Sequence, residues 1–167
     1  MTLNLGACRR SGKALLFVLF AAVLGVWLAR PQPTDRQLLD QLVARAKHGF
    51  EAKSVSEIMG CVAQGYQDDS GLTRADVLRI SQRALRAAKR IELTIRAYDI
   101  DVRSPGATGH FDVVAALDVE GEPVTWPMKL EVSFRKQRLG WRSLWRQGWV
   151  VTSVKGHSLS KDLGELF

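Results

Sequence analysis

The stretch TRADVLRISQRALRAAKRIELTIRAYDIDV, Thr73 to Val102, decides the fold, because the spacing of its apolar residues changes partway along. Up to Ala88 the apolar set is Val77, Leu78, Ile80, Ala84, Leu85 and Ala88, which gather on one side of a helix of 3.6 residues per turn. Thr73-Arg-Ala-Asp76 supplies a capping-box-like start. From Ile91 the period becomes two: Ile91, Leu93 and Ile95 alternate with Glu92, Thr94 and Arg96. The apolar set then moves to Tyr98, Ile100 and Val102. A switch from odd to even positions inside one strand predicts a β-bulge near Arg96-Ala97.

Downstream the period of two persists. Phe111, Val113, Ala115, Leu117 and Val119 form one face of a second strand, between turns at Ser104-Pro-Gly106 and Gly121-Glu-Pro123. In the third, Val124, Trp126, Met128, Leu130, Val132 and Phe134 alternate with Lys129, Glu131, Ser133 and Arg135. Gly140 turns into a fourth segment, Trp141 to Val154. Its Trp141, Trp145 and Trp149 lie four apart, a spacing that places them on one face of a strand or along a helix stripe. Val150, Val151, Thr152 and Val154 favour the strand.

Upstream, Thr34 reads as an N-cap with Asp35 in the first turn. Leu38, Leu39, Leu42, Val43, Ala46 and Phe50 then recur at helical spacing up to Ala52. Ser54-Val-Ser-Glu57 reads as a capping box opening a short second helix, and Gln64 to Gly71 as a polar loop holding Tyr66. Three helices followed by four long strands predict an α+β fold in which a curved, mostly antiparallel sheet of four or more strands packs on the helices.

Before this domain lies an apolar run, Ala14 to Ala29, of sixteen residues without a charged or polar side chain. As a helix it is about 24 Å long, slightly less than a bilayer's hydrocarbon core. Lys13 and Arg30 flank it and Trp27 suits an interface, so it reads as a transmembrane signal anchor. A cleaved signal peptide competes, but a cut after Ala29 puts Trp27 where a peptidase wants a small residue, and a cut after Gly25 puts Val23 there, which is acceptable but indifferent. The tight cluster of Arg9, Arg10 and Lys13 favours an inside N-terminus, which puts the domain on the periplasmic or extracellular side. The expected organisation is an anchor over residues 1–30, a Pro-bounded linker over 31–34, the α+β domain over 35–155 and a tail over 156–167.

The net charge of +7 belongs largely to the anchor. Arg9, Arg10, Lys13 and Arg30 flank it, leaving twenty basic against seventeen acidic residues beyond, or +3. Nucleic acid is not the expected partner at that balance. The run Arg135, Lys136, Arg138, Arg142, Arg146 reads as a solvated strand face or an anionic membrane contact. Cys8 and Cys61 fall on opposite sides of a spanning helix and cannot pair within one chain; Cys61 reads as a small buried hydrophobe.

The chain resembles the nuclear transport factor 2-like (NTF2-like), or SnoaL-like, cone-shaped superfamily, as a membrane-anchored member. The resemblance rests on Leu38-Leu39-x-x-Leu42, on Glu57-Ile-Met through Tyr66-Gln-Asp-Asp-Ser-Gly71, on the helix from Thr73, and on Gly140-Trp141-Arg142 entering the last strand. It implies a cone with a polar donor or base inside it in the enzymes of the family, and pure interaction modules among the rest. In the matching loop Tyr66, Asp68 and Asp69 are the candidate catalytic residues; the alternative is a solvated loop whose carboxylates bond its own amides. His110 and Asp112 face away from the core by alternation, and His48 and His157 lack partners at metal-ligand spacing, so no metal or cofactor is expected.

Tyr98, Trp126, Met128, Trp141, Trp145 and Trp149 are the candidate lining of an apolar pocket or interface, core packing being the alternative. Two functions follow. One is a non-catalytic module tethered through Ala14 to Ala29 that binds a small apolar ligand, a protein partner or a second copy of itself. The other is a small-molecule isomerase or hydrolase using Tyr66 with Asp68 or Asp69.

Overall fold

Thr34 caps the first helix as its sequence requires. Its hydroxyl accepts the Gln37 amide at 3.3 Å while the Gln37 side chain accepts the Thr34 amide at 2.9 Å, a reciprocal capping box. The computed structural model describes residues 33–119, 121–138 and 147–156. They form α1 (Asp35–Glu51), α2 (Val55–Cys61), α3 (Arg74–Ala87), β1 (Ala88–Arg103), β2 (Gly106–Val119), β3 (Glu122–Arg138) and β4 (Gln147–Gly156). The strands make one antiparallel meander in the order β1-β2-β3-β4.

The change of period at Ala88 is a direct passage from α3 into β1. The register of β1 against β2 shifts between Ile95 and Ala97, where the sequence places its bulge, and a second shift falls between Ala88 and Arg90. A third, at Ser133/Phe134, offsets β3 from β4. Each extra residue bends its strand and increases its twist.

The second helix begins differently from the expectation. Ser54 accepts the Glu57 amide at 3.4 Å, but the Glu57 carboxylate meets His48 Nδ1 at 2.8 Å, so the box closes on α1 instead of on its own cap. The fourth strand is Gln147–Gly156, while residues 141–146 of the predicted segment, with Trp141 and Trp145, lie outside the described residues. The predicted span Ala14 to Ala29 lies outside them too. Among the described residues no helix is long and apolar enough to cross a membrane.

The helices lie on one face of the sheet. Leu39 and Leu42 of α1 meet Ile100, Phe111, Val113, Val132, Phe134 and Trp149, with Cys61 closing the cluster. A second cluster joins Ile58 of α2 to Leu85, Ala88 and Ile91, with Phe50 against it. The end of α1 is fastened to β1 by Glu51, whose Oε1 accepts Lys47 Nζ at 2.5 Å and the Leu93 amide at 3.1 Å. The Lys47 contact, with that amide, holds the Glu51 carboxyl below its ordinary range.

Candidate functional site

The loop after α2 does more than connect. Val62 bridges Val151 in parallel, the Ala63 amide donates to the Val151 carbonyl at 2.9 Å, and the Gln67 amide donates to the Thr152 carbonyl at 3.2 Å. The loop thus runs along the free edge of β4, and Tyr66 is buried there. Burial, reinforced by Asp68, pushes the phenol up to about 12, with a backbone contact at Val154 opposing. At neutral pH Tyr66 is therefore a protonated group, able to donate and unable to serve as a base.

Asp68 shapes the loop. Its Oδ1 accepts the Ser70 amide at 2.9 Å and the Leu72 amide at 2.8 Å, and the turn passes through Gly71 at φ 79°. Asp69 is exposed and borders a groove of about 790 Å³ together with His110, Asp112, Lys129, Glu131 and Lys155. Tyr66 borders a different cleft, with Gln64, Thr73, Arg74 and Leu78. The three residues are neighbours in sequence, and the fold aims Tyr66 and Asp69 into separate spaces.

The apolar candidates divide as well. Trp149 is a core residue: it is 3% exposed, its indole N–H donates to Asp35 Oδ1 at 3.4 Å, and the Lys136 ammonium sits 5.5 Å from its ring centre. Lys136 also pairs with Asp35 at 2.8 Å, fixing the first turn of α1 on β3 and β4. Met128 packs half-buried against the core, and Trp126, opposite Ala115, is half-buried.

Tyr98 is the exposed large apolar side chain among the described residues, at 41%. It is held on three sides. Its ring stacks on Phe111 at 5.7 Å and 6°, the Arg36 guanidinium lies 5.4 Å from the ring centre, and its hydroxyl donates to Asp40 Oδ1 at 3.2 Å. Arg36 in turn pairs with Asp40 at 3.3 Å and donates to the Ile100 carbonyl at 3.1 Å. Composition gave no sign of this cluster, since Arg36 and Asp40 meet Tyr98 only because α1 lies across β1; the i, i+4 spacing of Arg36 and Asp40 was its one local signal.

On the opposite face of the sheet Asp99, His110, Glu131 and Lys155 fall in one row across the four strands, with Lys155 and Glu131 3.7 Å apart. His110 and Asp112 therefore point away from the core, on the face that alternation assigns them. His157 lies outside the described residues. Among those residues no group of three or more His, Cys, Asp or Glu side chains converges to hold a metal ion.

Three helices against a four-stranded antiparallel meander, entered directly from the third helix, have counterparts among solved structures. A proposed aromatic ring hydroxylase from Novosphingobium aromaticivorans is 15% identical over 75% of this chain and 90% of its own, with a TM-score of 0.61. A proposed dehydratase of the NTF2-like family from Streptomyces avermitilis is 14% identical over 71% and 91%, at 0.56. The chain has the NTF2-like fold. The hexachlorocyclohexane dehydrochlorinase LinA-type3 from Novosphingobium barchaimii superposes on this NTF2-like domain at 0.58, with 8% identity over 72% of this chain and 84% of its own. No family model matches the sequence, and no curated protein does. At these identities the likeness is one of fold, and activity has to be argued from the residues.

Proposed function

We propose that this chain is a membrane-tethered, non-catalytic binding or assembly module of the cell envelope, whose domain takes a protein partner or a small apolar ligand. The observation that carries the reading is Tyr98, an exposed aromatic held in one orientation by Phe111, Arg36 and Asp40. A large side chain ordered before binding loses little entropy on contact, which suits an interface anchor. The chemistry of the loop adds support. Asp68 Oδ1 holds two backbone amides of its own loop and Tyr66 is kept in its neutral form, so each has a role in the fold of the loop itself. The tether is the apolar run Ala14 to Ala29 with its basic flanks.

The second reading, an isomerase or hydrolase using Tyr66 with Asp68 or Asp69, draws on the activities named for the dehydrochlorinase and dehydratase neighbours. Asp69 borders the groove of about 790 Å³, and Tyr66 borders another cleft.

The test has two arms. In membranes from cells expressing the full chain, alkaline carbonate should leave it in the pellet, and deletion of residues 1–30 should release it. With benzoylphenylalanine at position 98, irradiation should yield a discrete adduct that the same photoprobe at the exposed Thr94 position does not. Extraction of the full chain by carbonate sinks the tether, and equal labelling from positions 98 and 94 sinks the binding surface.

A further inference from the structure

The positive charge of the domain is concentrated on α3 and the start of β1. Between Arg79 and Arg90 there are five basic residues, Arg79, Arg83, Arg86, Lys89 and Arg90, and no acidic one. Over the wider span from Thr73 to Ala97 seven basic residues face only Asp76 and Glu92, an excess of five. That exceeds the +3 of everything beyond the anchor, so the remainder of the domain is slightly acidic.

The geometry puts these charges outward. At 100° per residue Arg79, Arg83 and Arg86 fall within roughly 60° of arc, opposite Ser81 and Leu85. Ser81 and Leu85 are buried, while all three arginines are exposed. Lys89 is the extra residue of the bulge between Ala88 and Arg90, and both Lys89 and Arg90 are exposed, extending the stripe onto the start of β1. Arg79 pairs with Asp76 and Arg90 with Glu92 at the two ends. In the middle, Arg83, Arg86 and Lys89 make no ion pair among the described residues.

We propose that this outer face of α3 docks on an anionic lipid bilayer. Exposed cations on one rigid face attract a negative surface over about a Debye length, and each adds on the order of fivefold to the association. The choice of a bilayer over another polyanion rests on the tethered reading above, which keeps the domain beside a membrane: only Pro31 to Thr34 separate Arg30 from α1. Tether and helix face then act together, and a contact too weak to hold a free protein is sufficient for one already at the surface. Docking fixes how the domain is presented, with α3 toward lipid.

The experiment uses the full chain reconstituted into vesicles of phosphatidylcholine, with or without phosphatidylglycerol, carrying benzoylphenylalanine in place of the exposed Ala87. Flotation reports the tether, and the photo-adduct with lipid reports the helix face. We expect the chain to float with both kinds of vesicle. The adduct should form with the anionic vesicles, fall to the neutral-vesicle level at high salt, and weaken on the order of a hundredfold in Arg83→Gln/Arg86→Gln/Lys89→Gln. These exposed substitutions leave the fold intact, which the circular dichroism spectrum checks. Equal adduct in neutral and anionic vesicles, or an adduct indifferent to the triple substitution, overturns the proposal. So does transfer of the adduct to a short RNA duplex added at equimolar concentration. Flotation with anionic but not neutral vesicles would instead sink the tether and leave the helix face standing.

Discussion

Gly109 sits where the packed face of the sheet leaves no room for a side chain. A Cβ there would come within 2.5 Å of the Phe111 ring and 3.1 Å of Phe134. Phe111 is stacked on Tyr98 and edge-on to Phe134, so it cannot move aside without disturbing the candidate interface. Gly109→Ala should therefore destabilise by about 1–3 kcal/mol, the range for overpacking a filled core, as read from urea unfolding. It should also weaken photo-adduct formation from position 98. Tyr66 yields a prediction of opposite character. Its pKa is raised from 10.0 to about 12 in the fold, so the folded state favours the neutral phenol. That stabilisation is complete below pH 10 and is lost as pH rises toward 12. Tyr66→Phe should flatten the fall in stability over that window, and phenolate absorbance of the native chain should show one tyrosine titrating late.

Helix α3 carries its own pH dependence. The Thr73 hydroxyl donates to Asp76 at 2.6 Å and the Thr73 amide does so at 2.8 Å; with Arg79 they lower the Asp76 carboxyl from 3.8 to about 2. A depressed carboxyl stabilises the fold in full above about pH 4 and loses that contribution as pH falls toward 2. Asp76→Asn should remove the part of acid unfolding that falls in this window, seen as a smaller shift of the urea midpoint between those pH values. This cap was legible in Thr73-Arg-Ala-Asp76 because it is local, and the Ile95/Ala97 bulge was legible because an odd-to-even switch has one simple geometric cause. Ser54 shows where local reading stops. Glu57 has the spacing of a capping box, but α1 brings His48 within 2.8 Å and the carboxylate goes there instead. The same limit hid the burial of Tyr66, which depends on a loop pairing with β4 some eighty residues later. The outer face of α3, by contrast, follows from local pattern: the apolar set from Val77 to Ala88 fixes the core side of the helix, and Arg79, Arg83 and Arg86 fall opposite it.

At the scale of the whole domain, one large side chain ties the helical layer to the sheet. Leu39 has no exposed surface, and it sits on α1 among Ile100 of β1, Phe111 of β2, Phe134 of β3 and Trp149 of β4. Every strand therefore meets the helical layer at this cluster, and the two layers have no separate core to fall back on there. Truncation to alanine leaves a cavity that the rigid sheet cannot close, at a cost of about 2–5 kcal/mol. Against a typical total of about 5–15 kcal/mol this is a large fraction. The effect should also be shared. If the layers are one cooperative unit, Leu39→Ala lowers the urea midpoint identically by far-ultraviolet dichroism, which reports backbone, and by tryptophan fluorescence, which reports Trp149 and its neighbours. Transitions that separate would mean that the meander stands without the helices, and that the orientation of Tyr98, set jointly by Phe111 below and Arg36 and Asp40 above, is less fixed than an interface anchor requires.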